Sequence, residues 1–349
     1  YDDKGKLLDK QVQINEKFDS RRNLLSQTVE TYDDKGVLLE TQKSANSGFN
    51  SRGNPAKTER LSYDAGGKLI DKQVVENNKY DARGNVLDQV TTTYDDKGAV
   101  LDKEVVKNTG FNSRGNPAHS ERIRYDAAGT VMEKRVIDTT KFDKRGNVLE
   151  QTVKTYDDKG ALIDTVEVVN SGFDSRGNPK FVTRTTKDDK GAVLDVAKTV
   201  NNKYDSRGNV LSQTTETFDD AGKRIDKVEI ENSNFTSRGN AGKTIRKTYD
   251  DAGKLIETNI TNNLKFDSRG NVLSQVTENF DAAGKAIDKQ VVENSGFNAR
   301  GNPALTVRKN YDATGALIDT QTVVNEAFDS RGNVLRQTIK TVDPKGEFI

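Results

Sequence analysis

An all-β fold is predicted, an elongated antiparallel meander of tandem two-strand repeats coiled into a superhelix or solenoid. Three observations carry that prediction. A motif of aromatic, Asp or Asn, two residues and then Gly recurs from Tyr1 to Val342 in steps that alternate 17 and 14, without insertion or deletion. The intervals are too short and too often broken by Gly for helices, and they carry Val, Ile, Leu and Thr in short runs bounded by turn residues. Apolar residues are 32% and charged residues 31% of the 349, too lean for a thick core. Disorder does not fit either, because the β-branched and aromatic residues recur in register. A fixed 31-residue period predicts that residues 1–349 are one continuous array of about 11 repeats, each packing on its neighbours, and part of a longer array or filament.

The turn comes first. Of 23 anchor positions, 22 are followed by Asp or Asn (the exception is Thr236), and 22 have Gly four residues on (the exception is Arg22). Asp at the first turn position accepts from backbone two residues later, and Gly supplies the left-handed residue that closes a type I hairpin. Asp33 with Gly36, Asp81 with Gly84, and Asp95 with Gly98 are representative. The last copy reads VDPKG, with Pro344 where a type I turn favours proline. Most of the 28 glycines are thereby turn geometry and not phosphate cradles.

Segments between turns, such as Lys68–Glu76 (KLIDKQVVE) and Asn85–Thr93 (NVLDQVTTT), read as strands. Strict alternation places Ile70 and Val74 on one face and Leu69 and Val75 on the other. Successive turns of a meander fall on opposite edges, so the R-[G/R]-N turns line one edge and the D-x-x-G turns the other. About 23 strands spaced ~4.8 Å would extend on the order of 110 Å if flat. Strands twist, so the sheet is expected to coil and bury one face against itself.

A second period of 62 overlies the first. Ser47–Pro55, Thr109–Pro117, Ser171–Pro179 and Ser295–Pro303 read [S/T]-G-F-[N/D]-x-R-G-N-P, while Ser233–Ala241 reads SNFTSRGNA. A proline entering a strand costs no interior ladder bond. One strand in four is therefore chemically distinct. A β-propeller of 62-residue, four-stranded blades is the rival fold, but its blade crossings need a longer connection than these tight turns.

Site chemistry is scarce. No cysteine is present, so disulfides and thiolate metal sites are excluded, and their absence fits an exported protein. His119, the single histidine, stands in a polar strand without the partners of a triad or a zinc site. Carboxylate pairs such as Asp95–Asp96 recur in copy after copy, whereas a catalytic site is singular, so no enzymatic activity and no cofactor are expected. The second Asp is read as solvated. Calcium is a weaker reading, since D-D-K-G puts Lys inside the loop and matches no known calcium spacing.

The arginines are the open question. Arg52, Arg83, Arg114, Arg145, Arg176, Arg207, Arg238, Arg269, Arg300 and Arg331, with Arg21 ahead of them, stand 31 residues apart. In a meander they form a row spaced ~10 Å, able to engage an anionic glycan by avidity. The alternative is that each pairs with a turn Asp or stacks on a ring. The periodic aromatics Tyr32, Phe49 and Tyr63 could likewise stack sugars, although packing is their commoner role. Lys+Arg 55 against Asp+Glu 54 leaves no pull towards nucleic acid, and no stretch approaches the ~18–20 apolar residues of a membrane span.

At YDDKGVL (Tyr32–Leu38), YDAGGKL (Tyr63–Leu69) and YDARGNVL (Tyr80–Leu87) the chain resembles YD-repeat (Rhs-type) proteins. The resemblance runs over nearly the whole chain and implies extracellular β-rich repeats that build cell-surface proteins or hollow shells around toxin cargo. Strict 17/14 spacing and the lack of an attached non-repetitive segment favour a fibre or stalk over a cargo shell. The leading expectation is thus a structural segment of an extracellular fibre, filament or cell-surface appendage. An adhesin or glycan-binding module is the alternative, and a toxin-encapsulating shell the next. Repeat sequence at both ends, without capping units, predicts self-association head to tail or laterally.

Overall fold

The computed structural model describes residues 9–33, 35–267, 269–298, 301–328 and 334–349. Among them are 22 strands and no helix. They fall into two compact units, one made of Asp9–Ser171 with Arg184–Leu194 and the other of Gly172–Thr183 with Asp195–Ile349.

The first unit runs through β1 (Asp9–Phe18), β2 (Leu24–Asp33), β3 (Leu38–Ser47), β4 (Lys57–Asp64), β5 (Leu69–Tyr80), β6 (Val86–Tyr94), β7 (Val100–Thr109), β8 (His119–Asp126), β9 (Val131–Phe142), β10 (Val148–Tyr156) and β11 (Leu162–Ser171). Each pairs antiparallel with the next. β4 pairs with β5 and β8 with β9, so the ladder continues where propeller blades would have to part. The division between units falls within β12 (Phe181–Lys187). In the second unit β13 (Val193–Tyr204), β14 (Val210–Phe218), β15 (Arg224–Ser233), β16 (Lys243–Tyr249), β17 (Leu255–Phe266), β18 (Val272–Asp281), β19 (Ala286–Ser295), β20 (Leu305–Asp312), β21 (Leu317–Phe328) and β22 (Val334–Val342) repeat the same meander.

Turn chemistry sets the register, and it corrects one expectation about faces. In the D-x-x-G hairpins whose register is described, a β-bulge follows the turn: Tyr63 opposes Leu69 while Ser62 opposes Asp71, leaving Ile70 as the extra residue. Partners across a ladder share a face, and Leu61, two residues from Tyr63, opposes Lys72. Leu69 therefore lies on the side of Lys72 and Val74, the reverse of strict alternation. The left-handed Gly67 (φ 78°) forces the extra residue, as such a glycine does in a hairpin of this type.

Burial is thin and two-sided. Val74 opposes Thr92 and Val106 opposes Gln89, which are on opposite faces of β6, yet both valines are buried. Among the described residues no side chain is fully enclosed, and polar groups such as Thr31, Glu40, Ser62 and Ser120 are as buried as the valines. The expectation that one face is buried against itself is not met within either unit. Short cross-strand pairs and edge contacts hold the sheet instead.

Candidate functional site

The two edges carry the turn residues and the described arginines singled out above. At the D-x-x-G edge the turn builds itself. Gly36 N–H donates to the Asp33 carbonyl (3.1 Å), and Asp33 Oδ1 accepts from the N–H groups of Lys35 (2.9 Å) and Val37 (2.8 Å). Asp95 does the same for Lys97 and Ala99, with Gly98 at φ 84°.

The R-G-N edge adds a second lock. Asp81 Oδ1 takes the N–H groups of Arg83 and Asn85, both at 2.8 Å, and Oδ2 takes the Asn85 side-chain amide at 2.8 Å. Asn50 and Asn112 occupy the Asp position in the intervening turns. Their own amides cannot accept the second bond, so the RGN asparagine turns outward. Asn54 Nδ2 donates to the Gly84 carbonyl (3.3 Å) and Asn116 Nδ2 to the Gly146 carbonyl (2.8 Å), each 30 residues on. Turns with Asp at this position lock themselves and turns with Asn or Thr reach the next; Asp174 makes its turn self-locked like its two neighbours, with Asn178 Nδ2 on Asp174 Oδ2 at 3.0 Å. Thr236 keeps the geometry in the deviant copy by accepting from Asn240 N–H (3.1 Å), and Asn240 Nδ2 reaches Gly270 O (3.3 Å).

The asparagine amide on Asp81, helped by the Asn85 and Arg83 N–H groups, holds that carboxyl below the usual range, and Asn23 does the same for Asp19. Backbone and side chain of Asn178 lower Asp174. A carboxyl whose folded pKa is depressed contributes stability that is complete above its unfolded value, about 3.9, and lost as pH falls through the folded value. Denaturant midpoints should therefore hold level from neutral pH to about 5 and then fall below about 4. A midpoint flat down to pH 2 would remove these carboxylates from the account of stability.

The arginine row is placed along this edge, and its guanidinium groups bridge turns. Arg83 Nη1 and Nη2 donate to the carbonyls of Asn112 (2.8 Å) and Phe111 (2.9 Å). Arg21 reaches Phe49 O (3.4 Å), Arg114 reaches Lys144 O (3.3 Å), Arg207 reaches Thr236 O (3.0 Å) and Arg269 reaches Asn298 O (3.0 Å). Nε of Arg83, Arg145 and Arg207 lies 3.7–3.8 Å from Asp81, Asp143 and Asp205 of their own turns. Arg52 packs its stem by Gly84, and the Arg176 N–H bonds Asp174. Arg238 also has a partner. Arg300 and Arg331 lie outside the described residues. Arg83 is still half exposed, so charge remains at the surface.

A further row inside the strands escaped the sequence reading. Asn46, Asn77, Asn108, Asn170, Asn201, Asn232, Asn263, Asn294 and Asn325 each donate Nδ2 to the carbonyl 22 residues earlier, at 2.8–3.2 Å. The acceptors are at strand entries, Leu24 or Val86 in one half of the 62-residue period and Pro55 or Pro179 in the other. Tyr80 and Tyr204 add their hydroxyls to Pro55 O and Pro179 O, both at 2.6 Å. The signal was available, since these asparagines share the 31-residue period of the turns. Thr139 takes the remaining place and donates its backbone N–H to Ala118 O (2.7 Å).

At the opposite edge the aromatics are packed under lysines. Lys72 Nζ lies 5.8 Å from the Tyr94 ring centre, Lys103 6.0 Å from Tyr125 and Lys134 5.8 Å from Tyr156, each lysine directly opposite its tyrosine. The second turn aspartate, expected to be solvated, is paired in two copies. Asp96 faces Lys68 (3.6 Å) and Asp251 faces Lys223 (3.1 Å), each from the preceding turn. His119 Nδ1 sits 2.7 Å from Asp138 Oδ1, its direct ladder partner, at an open position. Among the described residues no group of three His, Cys, Asp or Glu is arranged to hold a metal, and no helix could cross a membrane.

No protein-family model matches the chain, and no curated protein does. Solved structures give distant likenesses. A crystal structure of TcdB2-TccC3-TEV is 13% identical over 92% of this chain and 22% of its own, with a TM-score of 0.22. The Photorhabdus luminescens Tc holotoxin pore with TccC3-D651A is 13% identical over 92% of this chain and 25% of its own, at 0.13. Rhamnogalacturonan lyase YesW is 12% identical over 89% of this chain and 70% of its own, at 0.21. This chain spans about a fifth to a quarter of the length of the toxin chains. Likenesses this distant carry no functional assignment.

Proposed function

We propose that the chain is a structural repeat segment of an extracellular fibre, filament or cell-surface appendage, without catalytic activity. One observation supports this reading above the others. The side chains that recur most strictly are spent on holding one repeat to the next: Asp and Gly inside turns, Asn54 and Arg83 between turns, Asn77 between strands. Units linked only to neighbours, each bonded to the next by the same contacts, make a scaffold of adjustable length. Negative-stain electron microscopy of the purified chain is expected to show fibres or end-joined particles whose length grows with protein concentration. Monodisperse particles of single-chain size at every concentration would refute filament formation.

A further inference from the structure

One repeat departs from its neighbours at two positions, and both departures open the same space. Seven tyrosines anchor described turns at the D-x-x-G edge. Tyr32, Tyr94, Tyr125, Tyr156, Tyr249 and Tyr311 each oppose a lysine across the ladder, but Tyr63 opposes Thr41. The third turn residue is Lys, Ala, Thr or, once, Gly, and that glycine is Gly66, in the turn that follows Tyr63. Where both side chains are short, an open pocket of about 420 Å³ is lined by Tyr63, Leu38, Thr41, Lys43 and the turn Asp64–Gly67.

Its chemistry is specific. Tyr63 lines the pocket, and an aromatic ring suits the C–H face of a pyranose. Lys43, anchored two residues beyond Thr41, brings its ammonium to 5.5 Å from the ring centre. Lys72, Lys134 and Lys227 at neighbouring rings are paired with Glu59, Glu121 and Glu229 at 2.6–3.0 Å. Lys43 has no such carboxylate within 4.0 Å among the described residues. The Tyr63 hydroxyl also has no hydrogen-bond partner among them, like those of Tyr94, Tyr125, Tyr156 and Tyr311 and unlike those of Tyr32 and Tyr249, which bond Glu30 and Glu229. The one acidic wall, Asp64, has Oδ1 engaged by the N–H groups of Gly66 and Lys68, both at 2.9 Å. An aromatic ring, an ammonium with no carboxylate in contact (Glu16 acts on it only from a distance) and an unbonded hydroxyl line a space of ligand size.

We propose that this cavity binds one hexuronate residue of a carboxylated polysaccharide, its ring stacked on Tyr63 and its carboxylate paired with Lys43. A charge-assisted bond between ammonium and carboxylate selects the acidic sugar over a neutral one. Gly66 is the one glycine at its turn position in the sequence, the site is separate from the arginine edge, and it does not depend on filament formation.

The test uses the full chain, a mannuronate tetrasaccharide and a neutral mannose tetrasaccharide, read by calorimetry and by the amide signals of Gly66 and Gly67. Thr41→Lys and Gly66→Lys install residues that neighbouring repeats already carry, so the variants should fold, as circular dichroism will verify. The native chain is expected to bind the acidic tetrasaccharide at least tenfold more tightly than the neutral one, with Gly66 and Gly67 shifting. The doubly substituted chain should lose at least tenfold. Equal binding of the two sugars, unmoved glycine amides, or affinity within twofold of native in the double variant overturns the proposal.

Discussion

Gly84→Ala is expected to cost about 2–5 kcal/mol, and Gly98→Ala only about 1–2 kcal/mol, although the two glycines have nearly the same backbone conformation. Their φ values are 89° and 84°, so the left-handed strain of a β-carbon is common to both. The surroundings differ. A β-carbon on Gly98 meets nothing within 4 Å, whereas on Gly84 it falls 2.7 Å from Asn54 Nδ2 and 3.4 Å from Arg52 Cδ. Asn54 cannot withdraw without giving up its bond to the Gly84 carbonyl. The difference between the two variants therefore isolates turn-to-turn packing at the R-G-N edge. An array unfolds in segments, so the measurement should be amide exchange in the flanking strands β5, β6 and β7. Equal losses of protection at the two positions would show that the edges are equivalent and that the clasp between turns contributes nothing.

The same comparison shows what could be read before any coordinates. The Asp and Gly of each turn were legible because both act within five residues, and Pro344 stands where a type I turn favours proline. Strand positions followed from the spacing. The face taken by Leu69 was not legible, since the bulge after Gly67 breaks the alternation from which faces are inferred. The destination of the arginines was hidden for a different reason. Arg83 bonds the carbonyls of Phe111 and Asn112, and a carbonyl leaves no trace in side-chain identity. An acidic partner or a ring could be anticipated from neighbouring letters, but a backbone acceptor 28 or 29 residues away could not. The strand asparagines stood between these cases: their period was visible, yet each sat among other polar residues and looked like solvated surface. Asn201, at 9% exposure, shows otherwise.

That asparagine gives the second large effect. Pro179 O, where the chain enters β12, accepts Asn201 Nδ2 at 2.8 Å and the Tyr204 hydroxyl at 2.6 Å. Removing either donor leaves the carbonyl one bond, so Asn201→Ala and Tyr204→Phe should each cost about 0.5–1.5 kcal/mol. Removing both leaves a part-buried acceptor with neither side-chain donor, which costs about 1–3 kcal/mol beyond the bonds themselves. The double variant should therefore cost more than the sum of the singles, by a coupling of about 1 kcal/mol or more. The native array contains a partial control. Phe266 stands where Tyr204 does, and there Ala241 O takes only the Asn263 amide, at 2.9 Å. Tyr204→Phe alone thus recreates an arrangement the chain already shows at Phe266, and Asn201→Ala with Tyr204→Phe removes both donors, as at Thr139 and Phe142, which stand 62 residues earlier. Additive costs in the cycle would mean that water replaces both donors, and the strand asparagines would then be surface residues after all. A positive coupling would instead make the 31-residue asparagine row the internal tie that lets so thin a sheet dispense with an enclosed core.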